Sequence, residues 1–154
     1  MREHTSRACL AIALGLLWMA PARLVAQAPS CAGGFDVRVP DGWRTAERLM
    51  LLAKDVSAPK NRTAVLEFSI AHGQAEPVRL GSYGIVAESE AAAGRWSFEV
   101  VRVNVTRPMR GWLETHPHAT TVCVRMDVVD ADRRPLPGLD WTARGIEIAA
   151  VKAP

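Results

Sequence analysis

The sequence predicts an all-β fold: an antiparallel β-sandwich of immunoglobulin-like type with about seven strands, placed after an N-terminal signal peptide. Three observations lead there. Apolar and polar residues alternate with a period of two through most of the chain after residue 34. Pro, Gly and Asn clusters separate the alternating runs at short intervals, as turns between strands require. No long stretch carries the 3.6-residue apolar period of an amphipathic helix. The Cys-Trp-Cys spacing of antibody-type domains is absent, so the expectation concerns architecture.

The first 28 residues have a separate character. Arg2 and Arg7 open the chain, residues 8–20 carry no charge, and small residues follow at Ala22, Ala26 and Ala28. A basic start, an apolar centre and a small-residue exit describe a secretory signal peptide. A membrane span needs about 20 apolar residues, and Arg23 interrupts this run. Cleavage is expected after Ala28, with Ala22 as a second position. Lipid attachment at Cys31 is a weaker alternative to release into a periplasmic or extracellular space. The reading therefore divides the chain into a signal peptide (1–28), an N-terminal extension with one short strand (29–45) and the sandwich domain (46–154).

Loss of the signal leaves 126 of 154 residues, enough for one core. It also removes three arginines and one glutamate, so 16 basic and 15 acidic side chains remain, a net charge of +1. Nucleic-acid binding ordinarily leaves a basic face or stripe, and none is legible here. No transmembrane segment is expected in the mature chain.

Taken in order, residues 35–39 form a clean alternating strand that stops at Pro40-Asp41-Gly42. Residues 48–56 read as a strand or a short amphipathic piece, because Leu49, Met50, Leu51 and Leu52 leave the period ambiguous, and residues 57–61 read as a loop. Residues 64–71 place Leu66, Phe68 and Ile70 on one face, ending at His72-Gly73. Residues 78–88 contain Gly81 and Gly84, which signal a bulge or a close backbone approach. Residues 96–105 read as a strand buried on both sides, with Phe98 and Val100 opposed to Val101, Val103 and Val105. Residues 108–114 read as a turn or one helical turn. Residues 120–129 alternate again, with Val122, Val124, Met126 and Val128 on one face. A loop with Pro135 and Pro137 leads to a last strand with Ile146 and Ile148 inward.

Few residues suggest chemistry. His116-Pro117-His118 could present two imidazoles on one face for copper or zinc, with Met109 as a soft third ligand. Surface histidines account for the same pattern, and no other cofactor is implied. Ser82 lies in Gly81-Ser82-Tyr83-Gly84, whose spacing is not that of a hydrolase nucleophile elbow. No enzyme is therefore expected. Trp43, Trp96, Trp112 and Trp141 read mainly as core aromatics; Tyr83 and Trp112 are the candidates for an exposed protein-contact surface. Cys31 and Cys123 either form one disulfide or remain two thiols. Asn61-Arg62-Thr63 and Asn104-Val105-Thr106 match the short glycosylation pattern.

The order of segments from residue 64 onward resembles the C-terminal β-sandwich domain of tyrosinases and plant polyphenol oxidases. The similarity is carried by Leu66-Glu67-Phe68-Ser69-Ile70, Gly81-Ser82-Tyr83-Gly84, the strand over residues 122–129, and Gly145-Ile146-Glu147-Ile148. In that family the sandwich shields the entrance of a di-copper domain and performs no chemistry. The oxidase itself draws six histidines from a helical bundle, whereas this chain has four histidines in all. The resemblance thus implies a free-standing accessory module that docks on a protein partner, with a copper oxidase as the kind of partner.

Overall fold

The computed structural model describes residues 31–71, 75–136 and 141–152; the expected signal peptide, His72 and Pro137 lie outside the described residues. The elements run β1 (Phe35–Arg38), β2 (Arg48–Pro59), β3 (Ala64–Ala71), β4 (Val78–Ile85), β5 (Arg95–Asn104), α1 (Thr106–Thr115), β6 (Thr121–Val129) and β7 (Gly145–Val151). One sheet has the order β1-β6-β3-β4 and the other β5-β2-β7. All pairings are antiparallel. The fold is a seven-stranded, all-β sandwich with one short helix. The four-plus-three layering is immunoglobulin-like, but the strands divide between the sheets differently from the A-B-E-D and C-F-G sets of an immunoglobulin constant domain. Only β3 and β4 pair as sequence neighbours; the other connections cross between the layers.

Alternation explains why the layers adhere. β3 buries Ala64, Leu66, Phe68 and Ile70, while Val65, Glu67, Ser69 and Ala71 form its outer face. β6 contributes Val122 and Val124, β7 contributes Ile146 and Ile148, and β2 contributes Leu49, Leu51 and Ala53. No polar or charged side chain is buried among the described residues. Burial of a Leu, Ile or Phe side chain contributes about 1.5–3 kcal/mol, so this shared layer dominates the stabilising side.

β2 and β5 hold an irregularity that sequence alternation misses. In β2 the inward residues are Leu49, Leu51 and Ala53, then Val56 and Ala58; Lys54 and Asp55 are both exposed between them. Asp55 adopts a φ of 49°, a left-handed conformation. β5 makes the matching change: Val101 and Val103 face inward, and so do Phe98 and Trp96, which pack on the core. Ala53 pairs with Val101 and Val56 with Phe98, so the register continues through the switch. β5 is therefore not buried on both sides. Its apolar residues reach one core by a change of phase, and Val100 pairs with Lys54 on the outer face. β2 also extends through Pro59, over residues expected to form a loop.

Gly81 combines both expected uses of a strand glycine. The β3–β4 register shifts between Phe68 and Ser69, where Phe68 pairs with Gly81 and Ser69 with Arg79. A Cβ on Gly81 would also lie 2.7 Å from Val103 Cγ1 of the opposite sheet. β4 and β5 approach each other along one side of the sandwich, and β1 and β7 along the other. Tyr83 closes the first side edge-on against Phe98, with ring centroids 6.2 Å apart.

The segment at residues 108–114, expected to be a turn or one helical turn, lies within a ten-residue helix. Val105, Met109, Trp112 and Leu113 are buried at spacings of four, three and one, which is a helical stripe. Pro108 falls in the first turn, where the missing N–H leaves no intrahelical bond unmade. Two bonds fasten the helix start to β2: the Leu49 N–H donates to Thr106 Oγ1 at 2.9 Å, and the Val105 N–H donates to the Leu49 carbonyl at 2.9 Å.

β1 belongs to the sandwich and is not an extension of it. It pairs with residues 121–124 of β6, and Val37 and Val39 are buried. The Asp55 conformation gives a direct test. Asp55→Val should lose about 1–2 kcal/mol in urea unfolding, because a β-branched residue opposes positive φ. Asp55→Gly should stay within about 0.5 kcal/mol of the parent.

Candidate functional site

The residues singled out from the sequence gather around two places: the helical end of the sandwich and the β1–β6 edge. At the helical end, His116 follows α1 directly. Its backbone N–H donates to the carbonyls of Trp112 and Leu113, at 3.1 and 3.2 Å. Its ring stacks on Trp112 with centroids 4.1 Å apart and planes 6° from parallel. Nδ1 lies 2.9 Å from both the Trp112 carbonyl oxygen and Thr115 Oγ1. Thr115 Oγ1 donates to the same carbonyl at 2.8 Å. His116 thus closes the helix C-terminus.

His118 is exposed in the turn that follows, closed by the Ala119 N–H donating to the His116 carbonyl at 3.1 Å. His116 and His118 therefore sit on a helix end and a turn, and not at the strand spacing that could aim both imidazoles one way. Met109, proposed as a third ligand, is fully buried in the core. Among the described residues no three His, Cys, Asp or Glu side chains come together as a metal site would need.

The expected contact surface is also corrected. Trp112 is 8% exposed, wedged between the helix and the core, and Tyr83 is half-buried against Phe98. Of the other tryptophans, Trp141 is buried, and Trp43 and Trp96 pack partly on the core. Lys60 Nζ sits 4.6 Å from the Trp96 ring and Arg44 lies 4.4 Å from that of Trp43. Both rings are covered on one face by a cation.

Sequence reasoning did not single out the outer side of α1. Asn104, Thr106, Arg107, Pro108, Arg110, Gly111 and Glu114 line an open depression of about 720 Å³. Asn104 Oδ1 accepts from the Thr106 N–H at 3.1 Å and from its hydroxyl at 2.6 Å. The amide of that glycosylation pattern is therefore engaged in holding the helix start. Arg110 donates to the Ala46 carbonyl, drawing the β1–β2 turn against the helix. The helical spacing of 107, 110, 111 and 114 was the signal for this face, hidden by the reading of the segment as a turn or one helical turn.

At the β1–β6 edge, Cys31 and Cys123 form a disulfide with Cα atoms 5.3 Å apart. It settles the choice between a bond and two thiols. Gly34 makes room for it: a Cβ there would lie 2.7 Å from Cys31 Sγ and 2.8 Å from the Val124 carbonyl oxygen. On the outer face of the same sheet, Glu67 meets Arg79 at 2.9 Å and Arg133 at 3.7 Å. Asp130 shapes the loop that delivers Arg133, accepting the N–H groups of Asp132 and Arg134, both at 2.8 Å.

The class these features define is a small disulfide-linked antiparallel sandwich with a helix across one end. No protein-family model matches the chain, and no curated protein matches its sequence. Substitution distinguishes buried from contact roles at the helical end. Trp112→Ala should cost about 3–5 kcal/mol of unfolding free energy, the range for a buried aromatic. His118→Ala should change it by no more than about 0.5 kcal/mol.

Proposed function

We propose that this protein is an exported, non-catalytic accessory module that docks on a protein partner. The observation that carries the exported part is the Cys31–Cys123 disulfide. Such bonds persist in oxidising compartments and are rare where glutathione and thioredoxin keep thiols reduced. The signal-like segment at residues 1–28 supports the same compartment.

The accessory part rests on the resemblance to the tyrosinase and polyphenol oxidase sandwich domain, and on the two-layer architecture that such a domain would have. In this reading a copper oxidase is the partner, and the sandwich acts on it in trans. No observation favours the copper-carrier alternative at His116 and His118, since the first ring is used at the helix end.

Two measurements test the proposal. Fractionation of the producing cells should place the protein outside the cytoplasm, with no free thiol and an N-terminus near residue 29. Cytoplasmic retention with two titratable thiols would end the exported reading. Purified protein added to a di-copper phenol oxidase that lacks its own C-terminal domain should lower its turnover at saturable stoichiometry. Unchanged turnover across the titration would remove the oxidase as partner.

A further inference from the structure

The geometry points to β1 as a latched, exchangeable strand: reduction of Cys31–Cys123 frees it, and the vacated edge of β6 takes up β1 of a second copy of this chain. This inference is independent of the oxidase reading and concerns how the molecule is held closed.

β1 is four residues long and pairs on one side only, from Phe35 with Val124 to Arg38 with Thr121. It adds Val37 to the core, and Val39 follows just past its end, while the layer around β2 and β3 is built from other residues. The rest of the β6 edge is held separately. Val129 bridges to Pro135, and the Leu136 N–H donates to the Val128 carbonyl at 3.0 Å. β1 therefore occupies its own short slot.

Both ends of the strand are built for release. Behind it, Pro40 and the turn at residues 41–45 form a hinge, with Gly42 at φ 77°. Ahead of it, Gly33 at φ 74° and Gly34 lead back to Cys31. The disulfide joins Cys31 to the residue that pairs with Asp36, so it clamps the strand to the neighbour it already pairs with. The tie that holds this segment to β6 is thus covalent as well as hydrogen-bonded.

The occupant follows from the slot. Loss of β1 leaves the edge groups of residues 121–124 unpaired and uncovers Val122 and Val124. An identical segment from another copy restores the same pairing and the same two valines, the condition for strand exchange. The chemistry balances with a dithiol reductant: the S–S bond takes two electrons and two protons, giving two thiols, while the dithiol closes to its own disulfide. Reoxidation by a separate disulfide oxidant, itself reduced to two thiols, then joins Cys31 of one copy to Cys123 of the other.

Amide hydrogen exchange with and without dithiothreitol tests the release. Protection should fall at residues 35–39 and 121–124 and persist in β2 and β3. Unchanged protection, or its simultaneous loss in all strands, would overturn the latch. The double variant C31S/C123S, which needs no reductant, should show the same local pattern. An equimolar mixture of ¹⁴N- and ¹⁵N-labelled protein, reduced at high concentration and reoxidised, tests the occupant. A Cys31–Cys123 peptide of mixed isotope, in a dimer that grows with concentration, is expected. Uniformly labelled peptides alone would exclude the second copy.

Discussion

The sandwich depends on one constraint: β2 and β5 must turn their apolar residues inward along their whole paired length. A strand of strict period two would put Val56 and Ala58 on the solvent side once Leu49, Leu51 and Ala53 face the core. The chain avoids this by spending Asp55 on a left-handed step, with Glu99 opposite it. Because both strands change phase together, pairing continues from Met50 with Asn104 to Pro59 with Arg95. A phase change in one strand alone would set an inward residue against an outward one at every later pair.

The rest of the architecture hangs from that arrangement. With Phe98 turned inward, Tyr83 of the other sheet has a ring to meet, and the β4–β5 side closes. Val103 on the near side of the switch fixes how closely the sheets approach, and only glycine fits opposite it at position 81. The helix then covers the end where β2 begins, anchored through Leu49 by Thr106 and Val105. Asp55 is tied into the other neighbour as well, its carboxylate 3.7 Å from Arg144 just before β7.

Much of this was legible in the residues. Alternation located β1, β3, β6 and β7 with the right inward faces, and Gly81 announced an irregularity. The failures share a cause: tertiary packing overrode local pattern. In β5, consecutive Val100 and Val101 suggested two buried faces, whereas a change of phase without a register shift places Val100 outside. In α1, a turn or a single helical turn was expected, although the spacing of Val105, Met109 and Leu113 already traced a longer helical stripe. His116 and His118 stand at strand spacing in the sequence, but a helix end and a turn carry them, and neither was visible before the helix was placed. Trp112 could not be assigned to core or surface until the helix was known. Cysteine count allowed the disulfide, but its proof needed β1 placed beside β6.

Backbone NOE spectroscopy on uniformly labelled protein tests the paired phase change most directly. The account predicts cross-strand contacts for Ala53 with Val101 and for Val56 with Phe98 in the same molecule, with the side chains of Phe98 and Val101 both contacting core methyls. A register slipped by one residue beyond Asp55, or a Phe98 ring without contacts to the core, would contradict it.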